Sequence, residues 1–315
     1  MRYKSIWILS GLMFVSAGYA EYYINGIVPV VFSEPREPDY DPHTLMMSDQ
    51  FDSTGMARGL VPENEISGIE LSNIFENKLW AINDSGNGPN LYLLDSETAG
   101  ILCTYHLPNL TNIDWEDISL GKGFFGNSTL YIGDFGNNFL NRSKLRIYLL
   151  AEPDYQSDSE QIVSLKPDHL ELDFVYPDGP HNAEAFFVDD KTQDIYIITK
   201  ENKRSGVYLF PYPHDPDKTG TLIYLGSLPF PLVVAADYNT ETQLLMIKTY
   251  DRIFMWENKE NKKLSELIFE TPIYAPYHPV EMQGESLSIG PSGYYTLSEK
   301  NFGIEPILYF YGKRE

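Results

Sequence analysis

The sequence has little cysteine and few basic residues. A single cysteine, Cys103, excludes an internal disulfide, so the fold must be held by its core. The chain has 23 Lys and Arg against 45 Asp and Glu, with a formal net charge of −22. Nucleic acids and anionic membranes are therefore excluded as expected partners, because both bind clustered basic residues. The acidity suits an extracellular protein that binds cations, or a surface that is simply well solvated.

Long apolar runs are also missing after residue 20, and so are amphipathic helical patterns. The apolar run at 6–15 follows Arg2 and Lys4 and ends near a small-residue pattern at Ala20, which predicts a signal peptide over residues 1–20. We therefore expect secretion to the extracellular space, or to the periplasm in a bacterium, with no membrane insertion. Glycosylation sequons begin at Asn83, Asn109, Asn127 and Asn141, and predict a glycoprotein if the source organism glycosylates.

The common catalytic motifs are absent. There is no Gly-x-Ser-x-Gly elbow, and the six histidines show no zinc-binding spacing. The glycine-rich stretch at 121–126 lies between two predicted strands with no helix after it, so it is a hairpin and not a phosphate-binding loop. His181 is an isolated histidine, for which a structural or surface role is favoured over a role in a site.

A repeat of short β-rich runs is present instead. Each set opens with an acidic residue beside a short apolar strand, at intervals of 51, 68, 53 and 48 residues; these residues are Glu65, Glu116, Glu184, Asp237 and Glu285. Second strands follow at 79–83, 130–133, 194–199, 244–249 and 294–298, and third strands at 91–94, 145–149, 207–210, 252–256 and 307–311. The first four sets have a fourth strand, at 101–107, 170–176, 222–228 and 264–269.

Four short antiparallel strands in each repeat predict an all-β, five-bladed β-propeller. The fifth set lacks a fourth strand, and the strand-like residues 55–61 belong to no other set. We expect this N-terminal strand to complete the fifth blade and close the ring, which removes exposed sheet edges. The predicted organisation is a signal peptide at 1–20, an extended lead-in at 21–54 and a propeller at 55–315, in a monomer.

The repeat also predicts a site. The first strand of each blade lines the axis of a propeller, so Glu65, Glu116, Glu184, Asp237 and Glu285 are expected to form a ring of carboxylates. Like charges at short range need hydrogen-bond donors, protons or a cation. Three hypotheses stay open: calcium bound by the ring, carboxylates that lock blades by accepting backbone N–H bonds, and catalysis.

Polar turns at the ends of the second strands are expected to form the wall of a binding depression beside this ring. The candidate ligand-binding residues there are Asp84, Asp134, Lys200, Lys248, Arg252 and Glu299. The basic members would meet an anionic group on a small-molecule, glycan or peptide ligand.

Several motifs carry a family resemblance, namely 83–86 (NDSG), 115–118 (WEDI), 133–138 (GDFGNN) with Arg142, 183–185 (AEA), 235–237 (AAD) and 284–286 (GES). They resemble a largely uncharacterised family of secreted β-propeller proteins, and more distantly propeller domains described as esterase-like or phytase-like. The resemblance covers roughly residues 65–311 and implies the propeller fold. Asn137 stands where that family has Asp.

Two functions follow as expectations. The first is a calcium-binding extracellular protein whose ligand site lies at one end of an acidic channel. The alternative is a metal-dependent hydrolase of a phosphorylated or glycosidic substrate. The glycosidic version requires two carboxylates about 5 to 10 Å apart, for which Glu116 and Glu184 are the candidates.

Overall fold

The computed structural model describes residues 14–16, 19–22, 30–156, 161–300, 303 and 305–314. Within these residues, five small and mostly antiparallel sheets form a ring, which confirms the predicted five-bladed β-propeller. A separate three-stranded sheet contains β1 (Phe14–Ser16), β2 (Tyr19–Tyr22) and β3 (Val30–Ser33). The predicted signal peptide lies largely outside the described residues and remains a prediction from the sequence. No helix in the described part of the chain has the length and apolar character needed to cross a membrane.

The strands of each blade follow one another from the axis of the ring outward. Blade 1 contains β5 (Ile66–Leu71), β6 (Lys78–Asn83), β7 (Asn90–Asp95) and β8 (Ile101–His106). Blade 2 contains β9 (Trp115–Gly123), β10 (Gly126–Asp134), β11 (Leu145–Ala151) and β13 (His169–Val175). Blade 3 contains β14 (Ala183–Val188), β15 (Ile195–Thr199), β16 (Ser205–Phe210) and β18 (Ile223–Leu228). Blade 4 contains β19 (Val233–Asn239), β20 (Leu244–Thr249), β21 (Ile253–Glu257) and β22 (Ile273–Ala275).

Blade 5 closes the ring as predicted. It contains β23 (Gly284–Gly290), β24 (Gly293–Ser298), β25 (Ile307–Gly312) and, as its outer strand, β4 (Met56–Leu60). β4 pairs antiparallel with β25, with Leu60 opposite Ile307. The blade is therefore assembled from both ends of the described propeller.

Two short strands extend the first two blades. β12 (Ile162–Ser164) pairs parallel with β8, and β17 (Gly220–Thr221) pairs parallel with β13, so blades 1 and 2 have five strands. The predicted lead-in crosses the outer edges of three blades. In this segment Arg36, Met47 and Phe51 form isolated bridges to Gly226, Tyr274 and Lys313. A 3-10 turn spans Pro42–Thr44.

The predicted fourth strand of blade 4, at 264–269, is wrong. A short helix, α1 (Leu264–Leu267), occupies this position, and the outer strand is β22 nine residues further on. Leu264 and Leu267 face the apolar cluster between blades 3 and 4, together with Ile268. Their spacing of three and four residues is helical, which explains the difference.

The inner strands of successive blades pack against one another in the order β5, β9, β14, β19, β23 and back to β5. The core lies between adjacent sheets; Phe187 and Trp256, for example, belong to the cluster between blades 3 and 4. Because every inner strand runs in the same direction, two sets of loops meet at one end of the axis. These are the loops that enter the inner strands and the loops between second and third strands. We call this end the mouth face.

Candidate cation site at the channel mouth

The inner strands share a local irregularity that positions the site. In each blade the pairing between the inner and second strands skips one residue near the start of the inner strand, as in a β-bulge. The skipped residues are Ser67, Glu116, Glu184, Val234 and Glu285. Three of the five predicted ring carboxylates therefore occupy equivalent positions.

The other two predicted ring members, Glu65 and Asp237, are displaced from this position. Glu65 lies two residues before the skipped Ser67, is exposed, and accepts a hydrogen bond from Asn87 Nδ2 at 2.6 Å. Asp237 lies three residues after Val234 and is buried, where its Oδ2 accepts the Ile289 backbone N–H at 2.6 Å. The prediction of one ring of five equivalent carboxylates is therefore wrong, because the acidic openings of the five repeats do not share one register.

A trio of carboxylates lies at the mouth. Asp84, Asp114 and Glu116 each offer an oxygen, and these oxygens lie within 4.8 Å of one another. Asp84 follows β6, where its backbone N–H donates to the Glu65 carbonyl at 2.9 Å, and Glu116 occupies the bulge of β9. The Asp114 N–H donates to Asp134 Oδ1 at 3.0 Å, which fixes the approach to β9. Asp114 was not predicted from the sequence, although two residues before the bulge it is equivalent to Glu65.

Glu116 is the least compensated member of the trio. Its side chain belongs to a residue only 5% exposed, and within the described residues no donor forms a hydrogen bond with its carboxylate. Burial raises the pKa of Glu116 well above its usual range, and the negative charges of Glu184, Asp84 and Asp114 raise it further. Burial and these neighbouring charges therefore disfavour the ionised form of Glu116, which a cation at the mouth would stabilise.

The same environment also raises the pKa values of the two aspartates, Asp84 and Asp114, but by less. Burial raises the pKa of Asp84 to about 6, although hydrogen bonding by Ser85 opposes the shift. Burial also raises the pKa of Asp114, with Ser85 and Arg142 opposing it. A cation among the three oxygens would offset the repulsion that contributes to these raised pKa values.

A glycine permits this close approach. Gly136 lies in the turn after β10, and a Cβ atom at this position would overlap Glu116 Oε1 and Asp114 Oδ2. The turn itself is held by Arg142, whose guanidinium contacts Asp134 Oδ1 at 2.9 Å and the Gly136 carbonyl at 2.8 Å. The Asp134 carboxylate therefore holds this turn in place and does not face a ligand.

A second cluster joins Glu184 and Glu285 through Lys200. The Lys200 ammonium forms an ion pair with Glu184, lies 3.8 Å from Glu285 Oε1, and sits over the Tyr250 ring at 4.9 Å. The Tyr250 hydroxyl donates to Glu285 Oε1 at 2.6 Å. Burial lowers the pKa of Lys200, but the charges of Glu184 and Glu285 more than reverse this effect, so the ammonium stays charged. Burial still raises the pKa of Glu184 to about 7.

The remaining predicted ligand-binding residues differ in accessibility. Glu299 is half-buried at the mouth, where burial, followed by the charges of Glu285 and Asp84, raises its pKa to about 9. Arg252 donates to the Tyr274 hydroxyl at 2.8 Å and lines a cavity of about 270 Å³ beside Tyr250. Lys248 is fully buried over the Tyr277 ring at 4.7 Å and donates to the Gly284 carbonyl, so it is inaccessible to a ligand.

Two further sequence predictions are placed by the structure. His181 Nδ1 lies 3.0 Å from Glu201 Oε1, and its Nε2 lies 3.0 Å from the Tyr208 hydroxyl, in a polar network beside the mouth. Asn83 is 1% exposed and donates to the Glu65 carbonyl, so its sequon is inaccessible for glycosylation in the fold.

Comparison with known proteins gives a structural neighbour. No protein-family model and no curated protein matches the sequence. A chain in a solved structure of a nidogen/laminin complex is similar at a TM-score of 0.44 and 10% identity, covering 78% of this chain and 79% of that chain.

Proposed function

We propose that the protein is a secreted calcium-binding β-propeller, whose calcium site is formed by Asp84, Asp114 and Glu116 at the channel mouth. The observation that carries the proposal is Glu116, a buried carboxylate whose oxygen lies within 4.8 Å of two others and for which the described part of the chain supplies no hydrogen-bond donor. Calcium takes six to eight oxygen ligands, and carboxylates, carbonyls and waters are the set it prefers. The residues 1–20 support secretion through their sequence pattern.

Calcium would then hold together two blades. Asp84 follows the second strand of blade 1, whereas Asp114 and Glu116 belong to the start of blade 2. A ligand that binds only the folded state stabilises that state, by about 2.7 kcal/mol at a hundredfold excess over Kd. The Lys200 cluster stays outside the calcium site, because its ammonium already compensates Glu184 and Glu285.

The test is a thermal melt of the purified protein in chelator and at increasing calcium. Calcium is expected to raise the Tm by several degrees at pH 7.5, and to do so less at pH 5.5, where protons compete for a site whose Asp84 has a pKa of about 6. Glu116→Gln keeps the shape of the side chain but removes a ligand charge. This variant should lose most of the calcium response, and in chelator it should be as stable as the wild type or more stable.

Glu76→Gln is the matched control, because Glu76 is exposed on the hairpin at the opposite face and its loss removes the same charge. It should retain the full calcium response. A flat calcium titration of the wild type would refute the calcium site. If the chelated protein then cleaved aryl glycosides, and Glu116→Gln did not, the hydrolase would be supported instead, with Glu116, whose pKa burial raises, and Lys200-bound Glu184 as its carboxyl pair.

A further inference from the structure

Exposed apolar side chains lie on the same face of the propeller as the acidic mouth. They lie on three loops of the mouth face, and we call them the apolar rim: Ile113, Phe139, Leu140, Val280 and Met282. Ile113 precedes β9, Phe139 and Leu140 lie between β10 and β11, and the last two precede β23. Large apolar side chains that are exposed beside a polar site often mark an interaction surface.

The loop that carries Phe139 is firmly anchored. Asn137 is buried; its Oδ1 accepts the Asn141 and Arg142 N–H groups at 3.0 and 2.9 Å, and its Nδ2 donates to the Arg142 carbonyl at 3.0 Å. Phe139 nevertheless remains 88% exposed. The loop therefore holds a large aromatic side chain in water although its backbone is fixed.

The other two loops use the same arrangement. Glu281 is buried between Val280 and Met282, and the Tyr277 hydroxyl donates to its Oε2 at 2.9 Å. Before β9, Asn112 Nδ2 donates to the Asp84 carbonyl at 3.0 Å, beside the exposed Ile113. Each loop thus turns a polar residue inward and an apolar residue outward. Loops that are anchored in this way lose little backbone conformational entropy when a partner binds.

The charge inside the rim selects the partner. Glu65, Glu184 and Glu285 lie at the mouth with the trio, and these carboxylates outnumber the positive charges of Lys200 and one bound calcium ion. Anionic lipid and nucleic acid would be repelled, whereas a cationic group would be attracted. Aromatic and aliphatic rim residues would contact apolar groups next to that cation.

We propose that the apolar rim and the acidic mouth together dock a polypeptide segment that presents lysine or arginine between apolar side chains. The proposal deepens the proposed function, since it names a ligand class for the same mouth, but the docking surface does not require the ion.

The experiment measures fluorescence anisotropy of a labelled nine-residue peptide of alternating leucine and lysine, in chelator and in calcium. The wild type is expected to bind the peptide in both, and more weakly at 500 mM than at 50 mM salt. Phe139→Ser should weaken binding about tenfold, as expected for loss of an aromatic anchor. Phe124→Ser is the matched control, because Phe124 is exposed on the β9–β10 hairpin at the opposite face, and it should leave binding unchanged.

The proposal is overturned if the two serine variants weaken binding equally, or if a peptide with glutamate in place of lysine binds as well. It is also overturned if the protein ignores the peptide but floats with anionic vesicles in calcium and Phe139→Ser prevents this, since the partner would then be a membrane. A flat calcium melt with intact peptide binding would remove the calcium site and leave the docking surface standing.

Discussion

At the scale of single residues, equivalent backbone positions differ in chemistry because the side chains next to them differ. Glu116, Glu184 and Glu285 are all skipped residues of the inner-strand bulges. Lys200 contacts the last two, whereas Glu116 faces Asp84 and Asp114. The same side chain therefore belongs to an ion-paired cluster in two blades and to a cluster of three carboxylates in the third. The calcium site is proposed at the one of these positions whose glutamate forms no ion pair within the described residues.

Gly136 allows a test of this geometry that leaves every ligand in place. A Cβ at this position overlaps two carboxylate ends and no backbone atom among its nearest neighbours, so Gly136→Ala should displace the carboxylates without unfolding the protein. We expect its calcium-dependent rise in Tm to fall by at least half, while its Tm in chelator stays within about 2 °C of the wild type. The measurement is the same calcium titration of the thermal melt.

Gly88→Ala provides the control for Gly136→Ala. Gly88 lies in the β6–β7 loop of the same face, and the nearest atom to its Cβ would be Asn90 Nδ2 at 3.6 Å, an ordinary contact. This variant should respond to calcium as the wild type does. An unchanged response of Gly136→Ala would instead show that the trio is not the calcium site.

The sequence identifies part of the site because acidic residues recur at strand starts. Glu116 is found in this way, and Asp84 is found as a polar residue in the turn after a second strand. Asp114 escapes because the repeat aligns on one acidic residue per unit. The sequence also places Lys248 at a strand end and so at the rim, but its side chain turns inward to the Gly284 carbonyl. A side chain's direction at a strand end depends on bulges that the sequence pattern does not reveal.

At the scale of elements, strands with a strong apolar pattern are predicted well, whereas the strand with the weakest pattern is not. The outer strand β22 has three residues between Pro272 and Pro276, too few to show an alternating pattern. The nearby apolar run at 264–269 offers a more obvious strand, but its buried residues follow helical spacing. Short apolar runs are compatible with either structure until packing decides.

Buried carboxylates of two inner strands join neighbouring blades, a role that one of the three sequence hypotheses gave to the ring carboxylates. Asp117 Oδ2 accepts the Phe186 N–H of blade 3 at 3.2 Å, and Asp237 Oδ2 accepts the Ile289 N–H of blade 5 at 2.6 Å. These contacts link blade 2 to blade 3 and blade 4 to blade 5. Asp237, which was predicted to bind a metal, is therefore placed as a blade lock.

Two replacements of Asp237 should distinguish how its acceptor oxygen and its charge each contribute to the free energy of unfolding. Asp237→Ala leaves the buried Ile289 N–H without its acceptor and should cost about 1–3 kcal/mol of the free energy of unfolding. Asp237→Asn keeps a carbonyl oxygen for that N–H and should cost less. Urea unfolding of both variants in chelator at pH 5 and pH 8 measures the difference.

The pH dependence follows from the raised pKa. Burial raises the pKa of Asp237 to about 7, from an ordinary value of 3.8, so the folded state holds this proton more tightly than the unfolded state. Its contribution to stability is therefore full below pH 4 and is lost as the pH rises through about 7. The cost of Asp237→Asn relative to the wild type should accordingly be smaller at pH 8 than at pH 5. Equal costs for Ala and Asn would contradict the lock.

At the scale of the whole molecule, the propeller and its closure could be predicted because the repeat supplied both the number of blades and the unpaired strand. The repeat could not supply register, since its intervals of 48 to 68 residues include loops of different length. The repeat also could not predict the path of the lead-in segment. Phe51, for example, packs edge-on against Tyr294 of blade 5 at 5.0 Å, and the short local sequence gives no sign of that contact.

The closing strand gives the last prediction. β4 is held by pairing with β25 and also by contact with blade 1, where a Cβ on Gly59 would overlap the Thr98 carbonyl oxygen and lie 3.3 Å from Ala99 Cβ. A backbone atom cannot move aside as a side-chain end can, so Gly59→Ala should force β4 away from its neighbours. Such overpacking costs about 1–3 kcal/mol.

Urea unfolding of Gly59→Ala in calcium-free buffer is the measurement, with Gly100→Ala as its control. Gly100 lies in the same turn of blade 1, and a Cβ there would have only Thr98 Oγ1 as a close neighbour, at 3.5 Å, so this variant should keep the wild-type free energy of unfolding. If the two variants were equally stable, β4 would not be clamped between blades 5 and 1. A loss confined to Gly59→Ala places ring closure among the contacts that determine the stability of the whole propeller, because displacement of β4 exposes the edge of β25 and removes the contact of β4 with blade 1.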